Sequence, residues 1–149
     1  MNHDWIAARI PHQGSMCLLD AVTAWTTEQI TCRATGHTDP AHPLRADGRL
    51  GAVSGIEYAA QAMAVHGALV AGATAAPRQG YLASVRSVTL HTERLDDLIG
   101  ALDVRAERLS GDANQVLYRF SLHHGARCLL EGRAAVVLDA DQLRTMTPT

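Results

Sequence analysis

The chain has 149 residues, 47% of them hydrophobic, and a formal net charge of −2, so it is long enough to form one domain around a sizeable core. A charge so close to zero gives no indication of a nucleic-acid or membrane partner. All 13 basic residues are arginines, which excludes enzymes that depend on a Schiff-base lysine or a phosphate-loop lysine.

The positions of the cysteines and histidines indicate neither disulfides nor a metal site. Cys17, Cys32 and Cys128 are far apart and odd in number, which predicts buried thiols in a reducing cytosol and no disulfide. The first ten residues do not resemble a secretory leader, so we expect a cytoplasmic protein without a membrane span. The eight histidines show no paired metal-ligand spacing, so we predict no metal site.

The first third of the chain predicts one short helix, two strands and a loop. Asp4–Ile10 favours a helix that ends at Pro11, and Met16–Trp25 and Ile30–Ala34 favour strands. From Thr35 to Arg49 glycine, proline and aspartate interrupt regular structure, which predicts a loop that carries His37 and His42.

The stretch from Gly51 to Gly72 predicts a central helix. Ser54 followed by Glu57 is typical of a capping box, so we expect a helix from Ser54 to Ala71 that ends at Gly72. The helix is apolar nearly all round, which predicts burial. Glu57 and Gln61 share one stripe of it. Glu57 is therefore either a helix cap or part of a small polar site in an apolar cavity.

The second half of the chain predicts four strands, over Tyr81–Thr92, Ile99–Leu109, Val116–His123 and Ala126–Leu138. Two strands, a helix and four strands indicate an α+β fold with an antiparallel sheet of about six strands around the helix. Residues 1–149 would form a single domain, with a frayed tail from 139 to 149. One sheet cannot cover an all-round apolar helix, so we expect a homodimer.

Three stretches resemble the hotdog-fold β-hydroxyacyl-acyl-carrier-protein dehydratases, and the resemblance covers roughly Arg9 to Leu138. Ile10–Pro11–His12 leading into MCLLDAV resembles the opening run of that family, Glu57–Gln61 (EYAAQ) resembles its EALAQ helix start, and Tyr81–Val85 resembles its post-helix strand. The segment GIEYAAQAMAVHGAL is more similar still to the divergent dehydratase-like branch of aryl-polyene-type pigment clusters.

The resemblance implies dehydration of 3-hydroxyacyl thioesters to trans-2-enoyl thioesters, with the substrate on the phosphopantetheine of an acyl carrier protein and no further cofactor. It implies a catalytic histidine fourteen residues ahead of the glutamate. His42 lies fifteen residues ahead of Glu57 and is the predicted base, with His37 as the alternative. Histidine suits removal of the α-proton, and a glutamate in an apolar pocket suits protonation of the leaving hydroxyl.

Other roles stay open at this point. Gln61 either positions Glu57 or a water, or is simply a packed amide. His12 either lines the site or fixes the loop after Pro11. His37 and His42 would otherwise be ordinary loop residues. His66, on the opposite side of the helix from Glu57, is expected in the core or an interface. A larger set of arginines either meets an acidic carrier protein or is solvated: Arg45, Arg49, Arg78, Arg86 and Arg94. The same fold supports thioester hydrolysis, and a non-catalytic subunit that binds acyl chains or supports an active dehydratase partner is a third reading.

Overall fold

The computed structural model describes residues 1–10, 14–72, 80–112 and 114–138. Within these ranges it contains two α-helices, α1 (His3–Ala7) and α2 (Gly55–Ala71). Six strands accompany them: β1 (Ala21–Trp25), β2 (Gln29–Ala34), β3 (Gly80–Leu90), β4 (Leu102–Gly111), β5 (Gln115–His124) and β6 (Arg127–Leu138). Short 3₁₀ turns cover Gly14–Met16, Gly36–Thr38 and Ala52–Ser54.

The six strands form one antiparallel sheet in the order β1-β2-β4-β5-β6-β3. Strands β4, β5 and β6 follow one another along the chain and pair as antiparallel hairpins. Strand β3, which directly follows the helix, pairs with β6 at the far edge. In chain order, α2 therefore connects β2 near one edge of the sheet to β3 at the other edge.

Alternation along the strands gives the sheet an inner and an outer face. Every second residue is buried in the first half of β4 and along most of β5: Leu102, Val104, Ala106, Val116, Tyr118, Phe120 and Leu122. These side chains form one hydrophobic cluster with Tyr58, Ala62 and Val65 of α2. The intervening residues of β4 and β5 carry most of the charge and face away from the helix.

Glycine allows the start of α2 to approach the sheet. A Cβ atom on Gly55 would lie 2.6 Å from Leu130 Cδ2 and 3.1 Å from Leu122 Cδ2. A side chain there would push the helix away from β5 and β6, so this position sets the distance at which the first turn of α2 lies from the sheet.

The predicted elements are confirmed in kind and corrected in detail. The α+β architecture, the six strands and the end of α2 before Gly72 agree with the prediction. The segment Met16–Asp20 is not part of the first strand, because a 3₁₀ turn occupies Gly14–Met16 and β1 begins only at Ala21. The predicted helix Asp4–Ile10 is shorter and earlier, at His3–Ala7. The predicted frayed tail lies outside the described residues.

The helix is buried on one side only. Buried residues of α2 include Tyr58, Ala59, Ala62 and Val65, whereas the opposite side is half-buried or exposed along most of its length. Exposed apolar side chains also lie on the 3₁₀ turn before α2, near the end of α2 and on the edge strand β3. We call them the open apolar face: Val53 (61% exposed), Val70 (38%), Leu82 (40%), Val88 (36%) and Leu90 (46%). Among the described residues, no helix is long and apolar enough to cross a membrane.

Candidate active site

The helix α2 begins without the predicted capping box. Ala52–Ser54 form a 3₁₀ turn that continues directly into α2, and Ser54 has helical backbone angles (φ −63°, ψ −18°). Its side chain makes no capping hydrogen bond. An N-cap side chain reaches the helix amides only from an extended backbone, so the expected capping role of the Ser54 side chain is wrong.

His42 forms a buried pair with Tyr58. Its side chain is 8% exposed, and its Nε2 lies 2.8 Å from the Tyr58 hydroxyl. The backbone N–H of Leu44 donates to Nδ1 over 3.1 Å. Because Nδ1 accepts this bond, a neutral His42 carries its proton on Nε2 and donates it to Tyr58. Burial is the main cause that lowers the pKa of His42 below its usual 6.5, and nearby His37 and Arg45 lower it further against Asp39.

His37 anchors the same loop more deeply. It is 1% exposed, and its Nε2 donates to the carbonyl of Leu98 over 2.6 Å. Its Nδ1 is buried and has no hydrogen-bond partner among the described residues. With the proton on Nε2, this nitrogen holds a free lone pair. His37 therefore fixes the loop to the segment before β4 and keeps one acceptor unused.

Gln61 is the most fully bonded polar side chain of the predicted set. It is 0% exposed, its Oε1 accepts the Leu18 N–H over 2.8 Å, and its Nε2 donates to the Met16 carbonyl over 2.6 Å. A longer contact of 3.5 Å joins Nε2 to Glu57 Oε1. The amide thus ties α2 to the segment before β1 and touches Glu57, which is half-buried one turn earlier.

The predicted site residues therefore fall into two groups. Glu57 and Gln61 are in contact, as their shared helix stripe predicted, and His42 contacts Tyr58, the next residue after Glu57. His12 lies outside the described residues. The hydroxyl of Tyr58 is the group that sequence reasoning missed, because a tyrosine inside an apolar helix is normally read as core.

A further polar cluster, centred on Asp96, has a structural role. Asp96 accepts from the Leu50 N–H over 3.0 Å and pairs with Arg94 and Arg45, so these two arginines are engaged within the chain. The hydrogen bond from Arg94 is the first cause that holds the pKa of Asp96 well below its usual range. These contacts secure the turn that leads into α2.

His66 lies in the core, which is one of the two locations expected for it; the other was an interface. It is 1% exposed, its Nε2 donates to the Thr26 carbonyl over 2.8 Å, and its Nδ1 accepts from the Tyr118 hydroxyl over 2.7 Å. Both ring nitrogens therefore have hydrogen-bond partners.

Cys17 and Cys32 are buried free thiols, as predicted, but Cys128 is only partly buried, because it lies at the start of β6 where the strand leaves the core.

The sequence matches the model of the ApeP-like family, described as ApeP dehydratase, over residues 5–147. The chain belongs to this ApeP-like dehydratase family. The match spans nearly the whole sequence, including the EYAAQ start of α2 and both loop histidines. No curated protein gives a significant sequence match.

Solved structures agree with the ApeP-like assignment at the level of the fold. The dehydratase heterocomplex ApeI:P from Xenorhabdus doucetiae contains a chain with a TM-score of 0.83 and 22% identity, over 95% of each chain. A mutant thioesterase from Pseudomonas aeruginosa gives 0.65 and 11%, over 93% of this chain and 94% of that one. A thioesterase from Haemophilus influenzae gives 0.60 and 11%, over 79% and 76%. This ApeP-like chain therefore has the hotdog fold.

Proposed function

We propose that this ApeP-like chain takes part in the dehydration of 3-hydroxyacyl thioesters on an acyl carrier protein, giving trans-2-enoyl thioesters. The observation that carries the proposal is the polar strip at the start of α2: Glu57 and Gln61 in contact, with the His42–Tyr58 pair on the adjoining residue. Around it the helix and sheet are apolar, which suits an acyl chain.

The proposed chemistry assigns one group to each proton. His42 takes the α-proton, the Cα–H electron pair forms the new double bond, and the β-hydroxyl leaves as water with a proton from Glu57. His42 is well suited in charge, because burial keeps its ring neutral at pH 7. Its Nε2 proton is held against Tyr58, however, so substrate binding must rearrange the His42–Tyr58 hydrogen bond before that nitrogen accepts a proton.

A second candidate function is a non-catalytic subunit that supports an active dehydratase partner. Two observations favour it: both ring nitrogens of His42 are occupied within the chain, and the solved relative is a dehydratase heterocomplex. The open apolar face offers the surface for a partner, and β3 is an edge strand with unpaired backbone groups. We propose that a second hotdog chain covers this face, either another copy in a homodimer or a partner dehydratase subunit.

Charge on the outer face of the sheet supports an acidic carrier protein as partner. Arg119 on β5 lies opposite Arg133 on β6, which lies opposite Arg86 on β3, and all three are exposed. Like charges in directly opposite positions destabilise a sheet. None of the three forms an ion pair with a described residue, although Glu107 lies across from Arg119 at one end of the row. This arginine row is available to a partner with clustered carboxylates.

The decisive experiment incubates the purified chain with 3-hydroxyacyl and enoyl carrier-protein thioesters and follows the products by mass spectrometry. A loss or gain of water supports the dehydratase, and release of free acid and thiol supports a thioesterase instead. Turnover that appears only with a co-purified hotdog partner supports the second candidate. Absence of turnover in both settings contradicts the dehydratase proposal.

Variants then test the residues. His42→Ala and Glu57→Gln are each expected to lower the rate about 100- to 10,000-fold. His37→Ala is the matched control from the same loop, with a near-normal rate once its folding is verified by circular dichroism. If His37→Ala is the inactive variant, the unused Nδ1 of His37 is the base. In mixed dimers of His42→Ala and Glu57→Gln chains, partial recovery would show that a site is shared between two chains.

A further inference from the structure

Three potential metal ligands meet on the outer face of the sheet, at the end of β3. His91 directly follows β3, and Cys128 and Glu131 lie on β6. His91 Nε2 is 3.2 Å from Glu131 Oε2, and Cys128 Sγ is 3.4 Å from the same oxygen. The three ligand atoms lie within 4.8 Å of one another. An imidazole, a thiol and a carboxylate therefore converge on one point.

A strand irregularity places Cys128 and Glu131 on the same face. Residues three apart in a regular strand point to opposite faces. Here His123 pairs with Cys128 while Leu122 pairs with Leu130, so Leu129 is an extra residue in β6. Leu129 is fully buried, and this bulge turns Cys128 outward beside Glu131. The backbone N–H of His91 donates to the Leu129 carbonyl over 2.8 Å, which fixes the third ligand to the same bulge.

The spacing of the ligand atoms fits one tetrahedral zinc ion. With Zn–N near 2.05 Å, Zn–O near 2.1 Å and Zn–S near 2.3 Å, a tetrahedron separates nitrogen from oxygen by about 3.4 Å and sulfur from oxygen by about 3.6 Å. The observed separations are 3.2 and 3.4 Å. Each of these two pairs has to open by only about 0.2 Å. The nitrogen and sulfur atoms, which lie within 4.8 Å of each other, would have to be about 3.6 Å apart, an adjustment available to side chains that are about half-exposed.

We propose that His91, Cys128 and Glu131 form a binding site for a zinc ion, with one coordination position left for a water or another donor. Thiolate and imidazole ligands favour zinc over magnesium or calcium, which prefer oxygen alone. The ion would link the end of β3 to β6.

An open groove lies beside one of the three ligands. His91 also lines an open groove of about 630 Å³ with Arg49, Gly51, Leu90, Thr92 and Glu93. Three protein ligands plus an exchangeable fourth are typical of zinc sites that remain accessible. Sequence spacing did not reveal this cluster, because His91 and Cys128 are far apart in the chain. Only the pairing of β3 with β6 brings them close together.

Cobalt replaces zinc in the test, because a thiolate–cobalt bond gives a charge-transfer absorption in the near ultraviolet. The untagged full chain is stripped with a chelator, reduced and titrated with Co²⁺, then with Zn²⁺ as competitor. We expect one Co²⁺ per chain, the thiolate band, and its displacement by Zn²⁺. Cys128→Ala should abolish the band, and His91→Ala and Glu131→Gln should each weaken affinity by about tenfold or more.

Matched controls use the same residue types elsewhere in the chain. His124→Ala removes another partly exposed histidine, and Cys17→Ala removes another thiol; both should keep the band and the affinity. Glu131→Gln is a conservative surface change, so its effect does not depend on misfolding. Absence of the band at a tenfold excess of Co²⁺, a band that persists in Cys128→Ala, or unchanged affinity in both His91→Ala and Glu131→Gln would each overturn the proposal.

Discussion

The contacts of Gln61 predict a large loss of stability when its amide is removed. Its side chain satisfies the buried Leu18 N–H and the Met16 carbonyl, and no other described group reaches them in its place. Leaving a buried backbone group without a partner costs about 1–3 kcal/mol. For the two groups together, Gln61→Ala is expected to lower the free energy of unfolding by about 2–6 kcal/mol.

Equilibrium unfolding in urea measures this loss. With an m-value of about 2 kcal/mol/M, in the middle of the usual range, a loss of that size shifts the midpoint by about 1–3 M. Gln115→Ala is the matched control, because that glutamine is exposed at the start of β5; its effect should stay within about 0.5 kcal/mol. Gln61→Glu should also destabilise, since a carboxylate has no N–H for the Met16 carbonyl and would lie beside Glu57.

Measuring both stability and turnover of Gln61→Ala separates a structural role of this amide from a catalytic one. If Gln61→Ala unfolds at the wild-type urea midpoint yet loses turnover, Gln61 acts on substrate or Glu57 and does not hold the segment before β1. If it loses stability and keeps turnover at temperatures where it is folded, the predicted role of Gln61 in positioning Glu57 or a water is wrong.

Three further outcomes follow from the described contacts. Tyr58→Phe leaves the Nε2–H of His42 without its partner and should cost about 1–3 kcal/mol in urea unfolding, whereas an unchanged midpoint would show that the pair is not formed. Burial lowers the folded-state pKa of His66 below 6.5, so below pH 6.5 the unfolded chain binds a proton that the folded chain does not. Stability should therefore rise with pH up to about 6.5 and then level off, and the slope, at most about 1.4 kcal/mol per pH unit for one proton, should shrink in His66→Gln. Arg133→Glu should stabilise the sheet by about 0.2–1 kcal/mol for each opposite arginine. It should also weaken carrier-protein binding measured by calorimetry, and equal binding would remove the arginine row as the docking surface.

Oligomeric state links the open apolar face to both candidate functions. Static light scattering at micromolar concentration distinguishes a chain mass of 15.9 kDa from twice that value. A monomer alone that forms a heterodimer with a co-expressed hotdog chain favours the supporting-subunit function. A monomer under both conditions would contradict a covered face.

The sequence by itself determined the kinds of elements and the length of α2. Low-cost helix formers between Gly55 and Ala71, with Gly72 after them, define a helix locally, and the alternation in β4 and β5 separates a core face from a charged face. The stripe of Glu57 and Gln61 follows from helical spacing alone, and the structure brings the two into contact.

Only the tertiary structure decided which long-range partners these residues have. The His42–Tyr58 bond joins a loop to a helix sixteen residues later, and Gln61 joins α2 to backbone groups more than forty residues earlier. The Ser54 cap failed because a 3₁₀ turn set its backbone angles, and the β6 bulge placed Cys128 beside Glu131. Such contacts depend on strand order and register, which no local pattern contains, because a shift of one residue exchanges the two faces of a strand.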